Sequence, residues 1–469
     1  MKILSGILWL TFCVGAFAQE SNLAADFRGE GERFKSSCSG FSFSMIAACG
    51  ELLFTDHPLH IAVGSLAPGN GFGAGAALVG HWTTQNWRNS YDIDAVATSN
   101  GSWRGGGYLT LVHSNVKAVK VNKGRPAPGA GSSPDASQEQ LVVHVYAEND
   151  SLNKIAYFGI GPSTSDSARS YFGMRETITG TNVVWPVLRR FNVSILGEAN
   201  GRFVDTRASQ GQPSPSIEQI YTPATAPGLF NETAFAQFGE GVRLRPSIGR
   251  HVQLDYLVNY QQYVAGDSHY SFQRFGIDLS HQFPLYKNVR PRVVQDFNGP
   301  DDCSASSSDD DHKCRSVIPL SGPTRNLEGS INLRFLLNES IIPSGHTEPF
   351  YFQPTLGGSD INGNPMLPSF QDYRFRAPNL MLLRATFEHS IYKLPIGVIL
   401  MIDEGKVANQ RSQLDFTHLQ HSYSAGLTLH AGGLPVVQLL FSWGGHEGTH
   451  TTASVNTSLL GGGGRPSLF

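Results

Sequence analysis

The chain is poor in charge. Asp, Glu, Lys and Arg make up only 16% of its 469 residues and nearly cancel, to a net −3. Acidic and basic residues are spread along the sequence, so no basic patch is present to grip a phosphate backbone, and no nucleic-acid partner is expected. Long apolar runs are missing as well. After residue 18 nothing approaches the roughly 18 residues that a membrane helix needs, and the longest run, 396–402, is strand-sized. Cysteine is sparse at five, of which Cys13 sits in the apolar leader. No Ser/His/Asp or Cys/His nucleophile set stands out. No enzyme activity is therefore expected, and no catalytic, cofactor-binding or metal residue is assigned.

Residues 1–18 read as a secretory signal peptide: Lys2, an apolar run from Ile3 to Ala16, and Ala16-Phe17-Ala18 as the small-x-small cleavage site. The cysteines beyond it fall in two locally spaced pairs, Cys38 with Cys49 and Cys303 with Cys314. In an exported chain this points to two loop-stapling disulfides, with reduced thiols as the alternative. Residues 19–58 are too few for an ordinary globular domain and read as a short periplasmic N-terminal segment, partly helical around 42–54.

From Leu59 onward glycine (51 residues) and Phe and Tyr (28 and 15) accompany repeated period-two alternation. Strands are expected at 59–66, 71–84, 88–99, 103–115, 140–148, 168–186, 189–207, 232–246, 250–265, 268–284, 328–338, 378–392, 395–403, 420–430, 434–445 and 449–460. In the stretch 379–405, Met381, Leu383, Ala385 and Phe387 share one face against Arg384, Thr386 and Glu388. After a turn at Lys393-Leu394-Pro395, Val398, Leu400 and Ile402 oppose Met401 and Asp403. Such strands separate water from something oily, as the outer face of a soluble sandwich does, or the lumen of a transmembrane barrel. Sixteen in series with no helical cover favour the closed sheet. The expected fold is thus all-β: a transmembrane antiparallel barrel over 59–460, with a tail at 461–469. Links alternate between short ones and long ones (149–167, 208–231, 339–377, 404–419). Two long links, 116–139 and 285–327, fall on the short-link side; either they are insertions there or the strand count slips nearby.

The run Pro349-Phe-Tyr-Phe-Gln-Pro-Thr-Leu-Gly-Gly-Ser-Asp360, with Gly357 and Gly358, then Phe375-Arg376, Phe387-Glu388 and Met401-Ile-Asp-Glu-Gly405, resembles the C-terminal half of the bacterial surface antigen superfamily of outer-membrane barrels, the BamA/TamA-like proteins. The resemblance implies a sixteen-stranded barrel whose sixth outer loop folds inward, and a place in the bacterial outer membrane reached through the barrel-assembly machinery. It also implies partners in outer-membrane lipid and in a substrate polypeptide or lipid, and no cofactor. In that family a loop Arg meets an Asp in a Phe-x-Asp-x-Gly strand. Asp403 and Gly405 match the strand, but Leu367-Pro368-Ser369-Phe370 stands where Leu-Arg-Gly-Phe is expected. The missing Arg leads to the expectation that Asp403 and Glu388 meet Arg374 or Arg376, the alternative being lumen water. The family's periplasmic repeat domains have no counterpart in residues 19–58, so client handling by that route is not expected.

Three other stretches invite chemistry. His446-Glu447-Gly448-Thr449-His450 spells the zinc-protease pattern, which needs a helix, whereas its glycines and the following Thr- and Val-containing run argue for strand-loop-strand. Gly69-Asn-Gly-Phe-Gly-Ala-Gly75 spells a glycine-rich loop, but no helix pattern follows it. Asp309-Asp-Asp-His312 is either a calcium site or a solvated acidic loop. The functions left open are an insertion or translocation device opening between the first and last strands, a passive pore or structural surface protein, and a hydrolase using His446 and His450.

Overall fold

The computed structural model describes residues 59–84, 86–113, 140–209, 215–248, 252–285, 291–294, 320–323, 329–391, 396–431, 434–455 and 467–468. The signal peptide, the 19–58 segment, the Asp309–His312 tract and most of the 116–139 and 285–327 insertions lie outside the described residues. So do all four cysteines of the expected disulfides, Cys38 and Cys49 in the N-terminal segment and Cys303 and Cys314 in the second insertion. Among the described residues there is no α-helix.

Sixteen strands form one sheet: β1 (Leu59–Ser65), β2 (Phe72–Thr83), β3 (Trp87–Thr98), β4 (Trp103–His113), β5 (Leu141–Tyr157), β6 (Ser170–Leu188), β7 (Val193–Ala208), β8 (Thr233–Leu244), β9 (Val252–Ala265), β10 (Phe272–Pro284), β11 (Gly329–Ile341), β12 (Asn379–Ser390), β13 (Ile396–Ala408), β14 (Gln420–Ala431), β15 (Leu434–Trp443) and β16 (His450–Val455). Each pairs antiparallel with its neighbour in sequence, from β1 with β2 to β15 with β16. The two-residue strand Ser247–Ile248 extends the β8 edge against β9. The sheet curls into a nearly closed barrel and does not stack into two layers.

The alternation read from sequence sets its two faces. Leu400 is 47% exposed on the outside while Asp403, three residues on, is 0% exposed within. Ile195, Phe203, Phe238, Val242, Leu427, Leu439 and Phe441 are likewise outward and exposed, and Glu198, Arg202, Gln237 and Ser424 are inward and buried. An apolar exterior of this extent is far beyond what a water-soluble monomer tolerates, and it suits hydrocarbon.

Inside, charge is paired. Arg104 meets Asp94 at 2.7 Å, Arg202 meets Glu176 at 2.9 Å, and Arg334 meets Asp278 at 2.7 Å. Tyr146 donates to Glu198 at 2.8 Å, and Arg202 reaches Gln237 at 2.6 Å. Buried ions need such partners because an unpaired one in a low-dielectric interior is costly.

The sixteen-strand count places 114–140 and 285–328 at the same end as the short turns, so both are insertions there and the strand count does not slip. Some boundaries differ from expectation. The strand expected at 140–148 runs to Tyr157, because its polar stretch is not a link: the side chains of Asp150, Ser151 and Asn153 are buried, and Arg207 of β7 donates to the last two at 2.8 and 2.7 Å. Asn153 also donates to the Asn100 carbonyl at 2.9 Å. Conversely, Arg189–Phe191, expected in a strand, make a tight 3-10 turn ended by Asn192 at φ 49°, a conformation that Asn tolerates.

Candidate functional site: an inward loop, the wall it grips and the seam beside it

The link 342–378 between β11 and β12 turns into the barrel, and its sequence explains its path. Its first part is aromatic and packs. Phe350, fully buried, stands edge-on to Tyr157 at 5.0 Å and Phe172 at 4.9 Å, and Phe352 meets Phe235 at 4.9 Å and Tyr263 at 5.2 Å. Each such ring pair is worth about 0.5–1.5 kcal/mol beyond its burial. Glu348 enters the interior paired to Arg274 at 2.6 Å, and burial still raises its pKa.

A short ladder, Thr355–Leu356 against Phe375–Arg376, then closes the loop on itself. Gly357 (φ 103°) and Gly358 (φ 60°) make the bend. A Cβ on Gly357 would lie 2.4 Å from the Arg374 Cβ, and one on Gly358 2.5 Å from the Asp372 backbone, so neither position admits a side chain. Asp360 ties the following turn by accepting from the Asn362 and Asn364 amides at 2.9 and 2.8 Å.

The tip, 365–374, is held by the wall. Arg384 of β12 and Asp403 of β13 lie directly opposite each other and form a two-pronged ion pair at 2.7 and 2.8 Å. Arg384 also donates to the Pro365 carbonyl at 2.5 Å, and Asp403 accepts from the Leu367 amide at 3.2 Å. Farther along, the Ser369 amide donates to the Ser422 hydroxyl of β14 at 2.9 Å, and the Gln371 amide to Glu447 at 3.1 Å. From Leu367 to Gln371, alternate backbone N–H groups thus end on a side-chain oxygen of the wall or of the link 444–449. Leu367 holds φ 56°, a strained value for a branched side chain, and is fully buried with Pro368 and Phe370 beside it.

The partner of Asp403 is therefore Arg384, and the expectation of Arg374 or Arg376 is corrected. The cause is register: the β12–β13 ladder pairs Arg384 directly with Asp403, so the two side chains share one face of neighbouring strands. Glu388 accepts from Thr428 at 3.0 Å. Arg376 is buried, donates to the Phe350 carbonyl at 2.6 Å and lies over the Tyr157 and Phe350 rings; burial pulls its pKa down to about 10. At Gly405 loop and wall approach closely, since a Cβ there would sit 2.8 Å from the Met381 carbonyl of the wall and 3.1 Å from Leu356 of the loop.

Arg374 is buried and does something else. It is ion-paired to Glu447, donates to the Thr164 hydroxyl and carbonyl at 2.6 Å each, and stacks on Phe158 and Phe375. The His446-to-His450 stretch is turn followed by strand, with its Glu447 carboxylate taken up by Arg374. Beside Arg374, the Tyr373 hydroxyl donates to the Pro68 carbonyl at 3.4 Å. Pro68 belongs to the β1–β2 link and Glu447 to the β15–β16 link, so consecutive loop residues hold opposite sides of the place where the barrel should close.

That place is a seam. β1 has seven residues and β16 six; their Cα atoms come within 8 Å, but among the described residues no ladder joins them. The Gly69-to-Gly75 stretch lies next to it as a turn leading into β2, with Gly69 and Gly71 at positive φ. Asn70, which the sequence reading did not single out, is wholly buried there. Its side chain donates to the Lys154 carbonyl at 2.8 Å and accepts from the Ser102 hydroxyl and the Asn153 and Lys154 amides.

These features define a class: a sixteen-stranded barrel with a loop packed in its lumen and, among the described residues, no ladder between its first and last strands. No protein-family model and no curated protein matches the chain. Among solved structures, it is similar to CdiB from Acinetobacter baumannii (10% identity, TM-score 0.44, covering 85% of this chain and 60% of that one). It is also similar to BamA from Haemophilus ducreyi lacking POTRA domains 1–3 (10%, 0.43, 86% and 71%) and CdiB from Escherichia coli (10%, 0.46, 82% and 58%). The chain thus spans less than two thirds of either CdiB chain.

Proposed function

We propose that the chain is an outer-membrane barrel of the surface-antigen, BamA/TamA-like type, and that it assists insertion or translocation of protein or lipid by parting the β1–β16 seam. Its partners in this reading are outer-membrane lipid, a substrate polypeptide or lipid, and the barrel-assembly machinery that installs it. The observation that carries the reading is the seam itself. Among the described residues every other neighbouring pair is zipped by a ladder and β1 with β16 is not, which supports reading this as the line along which the cylinder parts. Residues 59–460 then act as the barrel, and the link 342–378, with Gly357, Gly358, Leu367, Pro368, Phe370, Arg374 and Arg376 in the loop and Glu388, Asp403 and Gly405 in the wall, holds its outer end in order.

The test is a cysteine pair across the seam, one in β1 and one in β16. Oxidation should abolish function in cells and reduction should restore it; undiminished function of the locked barrel would reject gating. A passive pore is the second reading, favoured by a cavity of about 1070 Å³ inside the barrel. Planar-bilayer conductance of the locked barrel separates the two, since a pore conducts whether or not its seam can part.

A further inference from the structure

Ser467 and Leu468, beyond β16 in the chain, lie inside the barrel. They are half-buried and line the interior cavity together with Glu176 and Arg202 of the β6–β7 wall and Gln438 and Thr452 of the β15–β16 wall. The Leu468 amide donates to the Glu198 carboxylate at 3.0 Å and the Ser467 hydroxyl to the same oxygen at 3.2 Å. The other oxygen of Glu198 is taken by the Tyr146 hydroxyl at 2.8 Å and the Asn200 side-chain amide at 2.7 Å. Glu198 is only 6% exposed, and a buried carboxylate calls for donors on both oxygens. The strands supply one pair and the re-entrant segment the other.

Direction agrees with this. β16 leaves the sheet at the short-turn end, and Glu198 lies five residues into β7, which starts at that end. The twelve residues from Val455 to Ser467 can span about 40 Å when extended, enough to turn back inside.

We propose that Glu198, Tyr146 and Asn200 form a receptor site for an extended peptide, and that its resident ligand is the chain's own Ser467-Leu468 segment, which narrows the lumen from the short-turn end. Recognition is through one main-chain N–H and one side-chain hydroxyl, both given to the same carboxylate oxygen. The inference is independent of the seam and of the family reading.

Three forms of the whole barrel in planar bilayers test it: the full chain, a chain ended at Arg465, and Leu468→Pro, which removes the amide donor while keeping the length. Heat-modifiability on gels reports whether each is folded. Both altered forms should conduct severalfold more than the full chain, and the synthetic peptide Arg-Pro-Ser-Leu-Phe should return the shortened form to the closed level. Folded variants conducting like the full chain would overturn the proposal, as would a raised conductance that the peptide leaves unchanged. If the shortened chain does not fold, Leu468→Pro and Ser467→Ala decide the matter in the full-length protein.

Discussion

The barrel is built differently on its two sides. β5, β6 and β7 have 17, 19 and 16 residues, and their ladders are the longest in the molecule. β1 and β16 have seven and six, with no ladder between them among the described residues. On the tall side, continuous main-chain ladders hold neighbours together, with side-chain pairs such as Arg202–Glu176 added to them. At the seam, cohesion comes from side chains: Tyr373 and Arg374 hold the links on either hand, and Asn70 ties the β1–β2 link to β5. One side is held by repetition and the other by a few contacts, so single substitutions should act very unequally on the two.

The largest effect expected is from Arg374→Ala. It strands the buried Glu447 carboxylate and should cost about 3–5 kcal/mol in urea unfolding from lipid vesicles. Deuterium exchange should quicken in β1 and β16 and stay slow in β5–β7; equal change on both sides would end the comparison. Next comes the wall pair. Asp403→Asn and Arg384→Ala should be coupled by about 0.5–3 kcal/mol in a double-mutant cycle, whereas Asp403→Asn and Arg374→Ala should add within about 0.5 kcal/mol. Gly405→Ala should cost about 1–3 kcal/mol in the same unfolding assay, because its Cβ would meet the Met381 backbone carbonyl at 2.8 Å as well as Leu356 at 3.1 Å. The smallest effect expected is from Tyr373→Phe, about 0.5–1.5 kcal/mol, seen mainly as faster exchange in β1.

Much of this was readable in the residues. Period-two alternation gives strands and faces directly, which is why Leu400 and Asp403 fall on the sides their parity assigns. The Arg384–Asp403 pair was readable too, since a turn expected from the sequence at Lys393-Leu394-Pro395 places the two residues at matching distances on either side of it. What could not be read were contacts between links far apart in sequence. Nothing near Arg374 points to Glu447, 73 residues on, and nothing near Ser467 points to Glu198. Such pairings depend on how the sheet curls, which no local pattern records. The polar end of β5 failed for a related reason: Ser151 and Asn153 are satisfied by Arg207 of β7 and by Asn100 of the β3–β4 link, so polarity there does not signal a turn.

The way the loop tip is held has one more consequence. Asp403, Ser422 and Glu447 take hold of the amide hydrogens of Leu367, Ser369 and Gln371, atoms common to nearly every amino acid. A grip of that kind is indifferent to spelling. The stretch from Leu367 to Gln371 can be rewritten so long as its bulk still fits, and the replacement it cannot absorb at those alternate positions is proline, the one residue with no hydrogen to offer.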